Sequence, residues 1–363
     1  MNEQTSNNSE VRAEQAAGKK YQTIKLGLDV HADTIVVVRI LDNAAPQPAQ
    51  KFKPAKFLQW AQSQLALAQS VYSCYEAGPF GFVLHRQLVA LGIKNVVTQP
   101  VCLDERHKGV NDDKKDALAL GQRLDRYVAG NSKALATVHV PSLAQEQQRI
   151  QTRQREQLKR EVKRVAAQGR SLLLSQGYRQ KKNWWEGGQW KKLKGILPAW
   201  LVARLEVFCR ILKTLVEELE SATAALEATA PAVRPKGLGG LTYETVEREV
   251  MDWTRFKNRR QIGSFTGLCG GVSASGQSRY LLPITKHGNV RVRTALVELA
   301  WRMLLWQRQS RLVQKWLPAL ARATKAGRKK AIVAMARQLA VQWWRWRTGR
   351  SKPEDLGWVM VQP

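Results

Sequence analysis

The stretch "GVNDDKKDALALGQRLDRY", Gly109 to Tyr127, sets Asp113 and Asp116 three positions apart, with Asp112 beside them. Upstream, Asp29 follows "TIKLGL" and Glu76 follows "SVYSCY". Carboxylates are hard oxygen donors, and these four drawn together suit Mg²⁺ or Mn²⁺. Two such ions about 4 Å apart polarise a phosphodiester and stabilise both its attacking and its leaving oxygen. A cage of this kind stands out in a chain where 59 Lys and Arg face 29 Asp and Glu, a formal net charge of +30. That excess points to a polyanionic partner, nucleic acid before a membrane surface. A basic protein that grips a polyanion still needs one local concentration of negative charge if its chemistry uses cations. Read alone, Asp113 and Asp116 have a plainer role as well: acids at a helix start satisfy its amides and favour its dipole, worth about 1 kcal/mol. Asp33, Asp104, Glu105 and Asp112 read as solvated charge or caps, and His31 and His107 as surface polar groups.

The elements that must position these acids follow from periodicity. From Thr23 to Leu41, "TIKLGLDV" and "DTIVVVRIL" read as two strands joined by a tight turn at His31 and Ala32. Ile24, Leu26 and Leu28 share one face, and Lys25, Gly27 and Asp29 the other, so Asp29 leaves the sheet near the strand's end. "SVYSCYEAG" is a third strand ending at Glu76, "PFGFVLHRQLVALG" a helix with Pro79 near its start and Gly92 past its end, and "IKNVVTQ" another strand. Asp113, Asp116, Ala117, Leu120 and Leu124 fall on one face of the helix that follows. Acids on the face that packs toward a sheet need a partner, since an unpaired buried carboxylate costs several kcal/mol. Strand ends and helix starts meet at one rim of an α/β sheet, where the four acids can converge.

The fold class expected is α/β plus α. Residues 1–22 are polar and lack an apolar signal core, so a disordered tail is expected there, followed by an α/β domain over 23–140. Residues 141–230 form a helical arm. Its first helix, from Pro141 to Leu174, is sparsely apolar; a loop with Trp184, Trp185 and Trp190 among lysines forms the tip. Leu201, Leu205, Phe208, Leu212, Leu215, Leu219, Ala222 and Leu226 then repeat as a heptad seam. The seam coils within the chain or against a second protomer, and the protomer is favoured because neither helix has enough apolar surface for a globular core. A mainly helical region covers 231–347, with a tail over 348–363. It opens on "KGLGGLTYETVEREV", which reads as a helix-hairpin-helix type of Gly turn able to hold a phosphate, or as a plain interhelical turn. Its last helix, from about Lys329 to Arg347, ends in "QWWRWRTGR", whose interleaved Arg and Trp either grip phosphates and stack on bases or are simply core. Cys74, Cys102, Cys209 and Cys269 have neither metal nor disulfide spacing, and no apolar run of about twenty residues reads as a membrane span. A cytosolic protein is expected.

Taken together, "GLDVH", "YEAGPFG", "DDKKDAL", "GLCGGVSASG" and "ITKHGNVRVRTALVE" resemble the DEDD-type insertion-sequence transposases of the one-ten family, and the Trp-rich middle resembles its eleven-eleven subgroup. The resemblance runs from Lys25 to about Trp346. It implies a ribonuclease-H-like, RuvC-like domain, a coiled-coil arm and a carboxy-terminal transposase domain. It also implies DNA recombination directed by an element-encoded structured RNA, the bridge or seeker RNA, that selects donor and target DNA. The family's four acids fall on Asp29, Glu76, Asp113 and Asp116, holding Mg²⁺ or Mn²⁺, two ions in all. Its catalytic serine falls on Ser275 before Gly276, with Ser273 as the other eligible hydroxyl. Such a serine attacks a phosphodiester and stores the bond as a phosphoserine ester. Lys286, Arg291 and Arg293 then become phosphate clamps, and Trp184, Trp185 and Arg345 join them as nucleic-acid-binding candidates. The expected assembly is a homodimer that pairs into a tetramer, nucleoid-associated, with no membrane partner. Two other readings use the same residues: a Holliday-junction-type endonuclease with water as nucleophile, and a non-catalytic nucleic-acid-binding protein.

Overall fold

A computed structural model describes residues 19–100, 112–276 and 278–361. The tail up to residue 18, Cys102, Asp104, Glu105 and His107 lie outside the described residues. The chain divides into two compact units, Met1–Val140 and Pro141–Pro363.

The first unit is mixed α/β. Strands β1 (Tyr21–Val30), β2 (Ile35–Leu41), β3 (Gln50–Phe52), β4 (Ala68–Glu76) and β5 (Lys94–Thr98) form one sheet in the order β3-β2-β1-β4-β5. The first three run antiparallel, while β1, β4 and β5 are parallel. Ile24, Leu26 and Leu28 pack on one face with Val71, Tyr75 and helices α1 (Pro54–Leu67) and α2 (Val83–Ala90), which contribute Phe57, Ala61 and Leu88. Pro79 precedes α2 by a turn and lies outside the helix, so the helix begins later than the proline suggested.

The opposite face receives α3 (Asp113–Val128), through Ala117, Leu120 and Leu124. Close approach needs glycine on the strand: a Cβ at Gly27 would stand 2.2 Å from the Gly121 amide nitrogen and 2.4 Å from the Ala117 carbonyl. One buried cation lies on this face. Lys25 is paired with Asp125 of α3 and donates to the Asp42 carbonyl at 2.6 Å.

In the second unit, α4 (Leu143–Ser175) starts on a Ser142–Gln145 capping box and packs against α6 (Ala199–Thr229). The heptad seam is buried within the chain: Leu201, Leu205 and Leu212 meet Val165, Leu173 and Trp184. This corrects the preference for a second protomer as the partner of that seam. The tip contains a short helix, α5 (Gly187–Lys194), rather than a plain loop. Trp184 fills a notch at Gly169, where a Cβ would sit 2.1 Å from its ring, and supplies the apolar surface that α4 lacks.

Helices α7 (Gly240–Val250), α8 (Arg259–Thr266), α9 (Val290–Trp306), α10 (Arg311–Arg322) and α11 (Lys325–Arg347) surround a core of Val246, Leu296, Met335 and Trp343. Between α8 and α9 the Gly-rich segment forms a hairpin, β6 (Gly270–Ser275) and β7 (Ser278–Ile284). Glu249, with a fully buried side chain, ties the unit together. It accepts from Arg153 at 2.8 and 3.0 Å and from Asn289, the N-cap of α9, at 2.8 Å.

Candidate functional site

Asp29 and His31 alternate with Val30 at the outgoing end of β1, so both lie on the α3 side of the sheet. Asp113 and Asp116 open α3, whose N-cap Asp112 accepts from the Lys114 amide. That capping bond gives Asp112 the plain role its sequence position suggested. Across the turn, His31 Nε2 stands 3.0 Å from Asp29 Oδ2 and 3.5 Å from Asp113 Oδ1. Among the described residues, these are the side chains whose ligand atoms gather within 4.8 Å of one another.

Burial first, and the charges of Asp113 and Asp116 after it, push the Asp29 carboxyl above its ordinary value, against the pull of His31. Asp116 thus acts electrostatically on Asp29 without belonging to the tight group. Glu76 reaches the same level by register: Leu28 pairs with Tyr75, and Asp29 and Glu76 are the next residues of their parallel strands. Alternation puts Glu76 on the α3 side with Cys74, whose thiol is raised by burial and then by the Glu76 charge. Crowded acids of this kind fit a divalent cation, because a positive charge relieves what desolvation and mutual repulsion impose. The donor set is right in type for Mn²⁺ or Mg²⁺, with one imidazole added.

His31 is the residue that sequence reasoning passed over as a surface polar group. The available signal was its i+2 spacing from Asp29 at a strand exit, which puts both on one face.

Ser275 is the last residue of β6, exposed, and paired across the hairpin with Ser278. Gly276 follows at φ +57°, a conformation that suits glycine in a tight turn. Ser273, on the same strand, pairs with Tyr280. Beyond the hairpin, Lys286 is exposed at φ +58°. Arg293 turns back to the backbone, donating to the Thr266 and Lys286 carbonyls at 3.1 Å each. Arg291 pairs with Glu156 at 2.5 Å and approaches Glu249 at 3.9 Å. Both arginines therefore hold the start of α9 in place, which leaves Lys286 as the outward-facing cation of the three.

The other nucleic-acid candidates separate in the same way. Trp184 is 1% exposed, donates to the Ala166 carbonyl at 2.9 Å and meets Trp190 edge-on, so it is core of the arm rather than a platform for a base. Trp185 packs half-buried on the same cluster. In "QWWRWRTGR" the rings of Trp343 and Trp344 turn inward, Arg347 pairs with Glu247, and Arg345 is exposed.

Residues 234–314, which carry α7, α8, the serine hairpin and α9, match the model of the Transposase IS116/IS110/IS902 family. The chain is similar to the IS116/IS110/IS902 transposases over that segment. It is 28% identical over 308 residues to putative transposase y4qE of Sinorhizobium fredii (strain NBRC 101917 / NGR234), covering 76% of this chain and 75% of that one. Against putative transposase y4rJ of the same strain it is 29% identical over 300 residues, 75% of each chain. It also resembles the transposase for insertion sequence element IS1111A of Coxiella burnetii (strain RSA 493 / Nine Mile phase I), at 26% identity over 339 residues and 88% of each chain. The family segment includes Ser275 and Lys286, while the Asp29–His31–Asp113 group lies outside it. No described helix is long and apolar enough to cross a membrane.

Proposed function

We propose that this chain is a transposase that cuts, covalently holds and rejoins DNA strands, using the acids of a ribonuclease-H-like, RuvC-like sheet together with Ser275. The observation that carries this reading is the meeting of Asp29, His31 and Asp113 at the rim of the parallel strands, with Asp116 felt electrostatically and Glu76 brought level by register. Asp29, Glu76, Asp113 and Asp116 would hold two Mg²⁺ or Mn²⁺ ions. When bound, such ions supply Lewis-acid stabilisation of charge on phosphodiester oxygens. His31, bonded to Asp29, fixes the orientation of that carboxylate.

The exposed Ser275 hydroxyl supplies the nucleophile. Its Oγ forms a bond to phosphorus as the P–O3′ bond breaks; the serine proton passes to solvent, and the departing O3′ takes one from solvent to leave as a 3′-hydroxyl. A 3′-hydroxyl attacking the phosphoserine ester reverses these steps and rejoins DNA. An element-encoded structured RNA selects donor and target by base pairing, and the working assembly is a homodimer paired into a tetramer at the nucleoid. The chain's charge of +30 accommodates both polyanions.

Denaturing gels of reactions containing element-end DNA, co-purifying RNA and Mg²⁺ test the reading. A protein-linked DNA band is expected, absent in Ser275→Ala and in Asp29→Asn. Cleavage that persists in Ser275→Ala without a linked band would establish the junction-nuclease chemistry instead. Recombination unchanged in Asp29→Asn, Glu76→Gln and Asp116→Asn would establish a non-catalytic binding protein. Sequencing the co-purifying RNA tests the guide, with one abundant element-derived species expected.

A further inference from the structure

The second unit contains an open groove of about 1080 Å³ between the base of the hairpin, the start of α8, α10 and α11. Its rim is cationic: Arg259 on α8, Lys315 on α10, and Lys330, Arg337 and Arg345 along α11 are all exposed. No carboxylate lines it among the described residues. The floor is apolar, formed by Leu268, Val333, Val341 and the Leu282–Ile284 end of β7. Two amides interrupt that floor. Gln338 accepts from the Trp316 indole at 3.2 Å, whereas Gln342 Oε1 is buried without a hydrogen-bond partner among the described residues.

Cations on the rim and apolar surface below match a nucleic-acid strand with phosphates up and bases down. A duplex keeps its bases paired and stacked, so it cannot use the floor. The spacing along α11 also fits a strand: Lys330 to Arg345 spans about 22 Å at 1.5 Å per residue. We propose that this groove takes a single strand of DNA, phosphates along the cationic rim and bases on the apolar floor. DNA is favoured over RNA by the continuity of the groove with the serine hairpin. The hairpin that walls the groove at Gly270 and Leu282 also carries Ser275, about 17 Å further along β6. A strand seated there is thus led toward the hydroxyl that would attack it. This inference rests on the DNA reading above and adds where the opened strand lies.

Binding of a fluorescein-labelled single-stranded DNA of about 20 nucleotides, followed by polarisation in EDTA at several salt concentrations, tests it on the full chain. The variant Lys330→Ala/Arg337→Ala/Arg345→Ala is expected to bind at least about tenfold more weakly. Its slope of log K against log salt should flatten by about 2, since each phosphate contact on a single strand contributes about 0.7. Arg259→Glu/Lys315→Glu, on the other walls, should weaken binding comparably. A control on the exposed face of α4, Lys159→Ala/Arg160→Ala/Lys163→Ala, removes equal charge and should stay within about twofold. These cations are exposed, so melting curves should confirm that every variant folds.

Equal losses in the groove and control variants would overturn the proposal, by showing a response to net charge alone. A loss on duplex DNA as large as on the single strand, or a loss confined to single-stranded RNA, would overturn it too. The measurement needs neither metal nor cleavage, so a chain that fails the gel assay can still pass here, and the reverse.

Discussion

Two carboxylates of this chain, Asp29 and Glu249, are placed by opposite devices. Asp29 is crowded by Asp113 and Asp116 at an open rim, and its carboxyl is raised by burial and then by those neighbours. Glu249 is sealed inside. Burial is the largest influence on it and acts upward, yet hydrogen bonds from Arg153 and Asn289 and the charges of Arg153 and Arg149 outweigh it, holding the carboxyl below its ordinary 4.5. A depressed carboxyl adds stability that is present above its unfolded value and lost as the pH falls through its folded one. Glu249→Gln should therefore cost about 1–3 kcal/mol at neutral pH, by leaving the partly buried Arg149 and Arg153 guanidinium groups without a counter-charge. The gap between the variant and the unaltered chain should close on acidification below about 4.5. Denaturant melts at a series of pH values measure it, and a gap that stays constant into acid would show that Glu249 acts by packing rather than by charge.

Among the elements, the contact of β1 with α3 governs the rim, because it sets how far Asp113 stands from Asp29. The glycines on its two sides have unlike roles. A Cβ at Gly27 collides with helix backbone at 2.2 and 2.4 Å, whereas one at Gly121 meets side-chain carbons of Ile40 and Val38 at 3.6 and 3.7 Å, ordinary contact. Gly27→Ala should lever α3 from the sheet, costing at least about 1–3 kcal/mol and removing any rise in melting temperature produced by Mn²⁺. Gly121→Ala should be neutral or stabilising by up to about 1 kcal/mol, since alanine is the better helix former. Thermal melts with and without Mn²⁺ separate the two, and equal behaviour of the variants would contradict the geometry. Much of this sheet is legible in the sequence, because Ile24, Leu26 and Leu28 alternate cleanly and Ala117, Leu120 and Leu124 keep helical spacing. Other elements carry no such signal. Residues Gln50–Phe52 are too few to show a period, α1 hides a buried Gln64 on its inner face, and α10 carries Pro318 in its interior. The β6–β7 hairpin is almost wholly exposed, so no apolar alternation marks its strands. The arm's seam is legible but its partner is not, since the surface it needed comes from Trp184 at the tip rather than from the stripe of α4. His31 escaped for a different reason: a lone histidine declares its role only once the turn brings Asp113 across to it.

At the scale of the whole molecule, a charge of +30 is only partly committed to the fold. Arg149, Arg153, Arg248 and Arg291 are bound to carboxylates inside the second unit. The cations lining the groove face solvent instead, as do Lys159, Arg160 and Lys163 on α4. Two contributions to nucleic-acid affinity can then be told apart by their response to conditions. Phosphate contacts release counterions, so a chain making roughly six to ten of them on duplex DNA should lose about 10³–10⁵ in affinity between 50 and 200 mM salt. Stacking and burial of bases respond weakly to salt. The charge resides in Lys and Arg, which do not titrate near neutrality, and the chain has only 5 His. Affinity for non-specific duplex should accordingly fall steeply with salt and change little between about pH 6 and 8. Polarisation titrations across both variables measure this. A shallow salt slope would show that the free cations do not carry the grip, and a strong pH response would move it onto histidine.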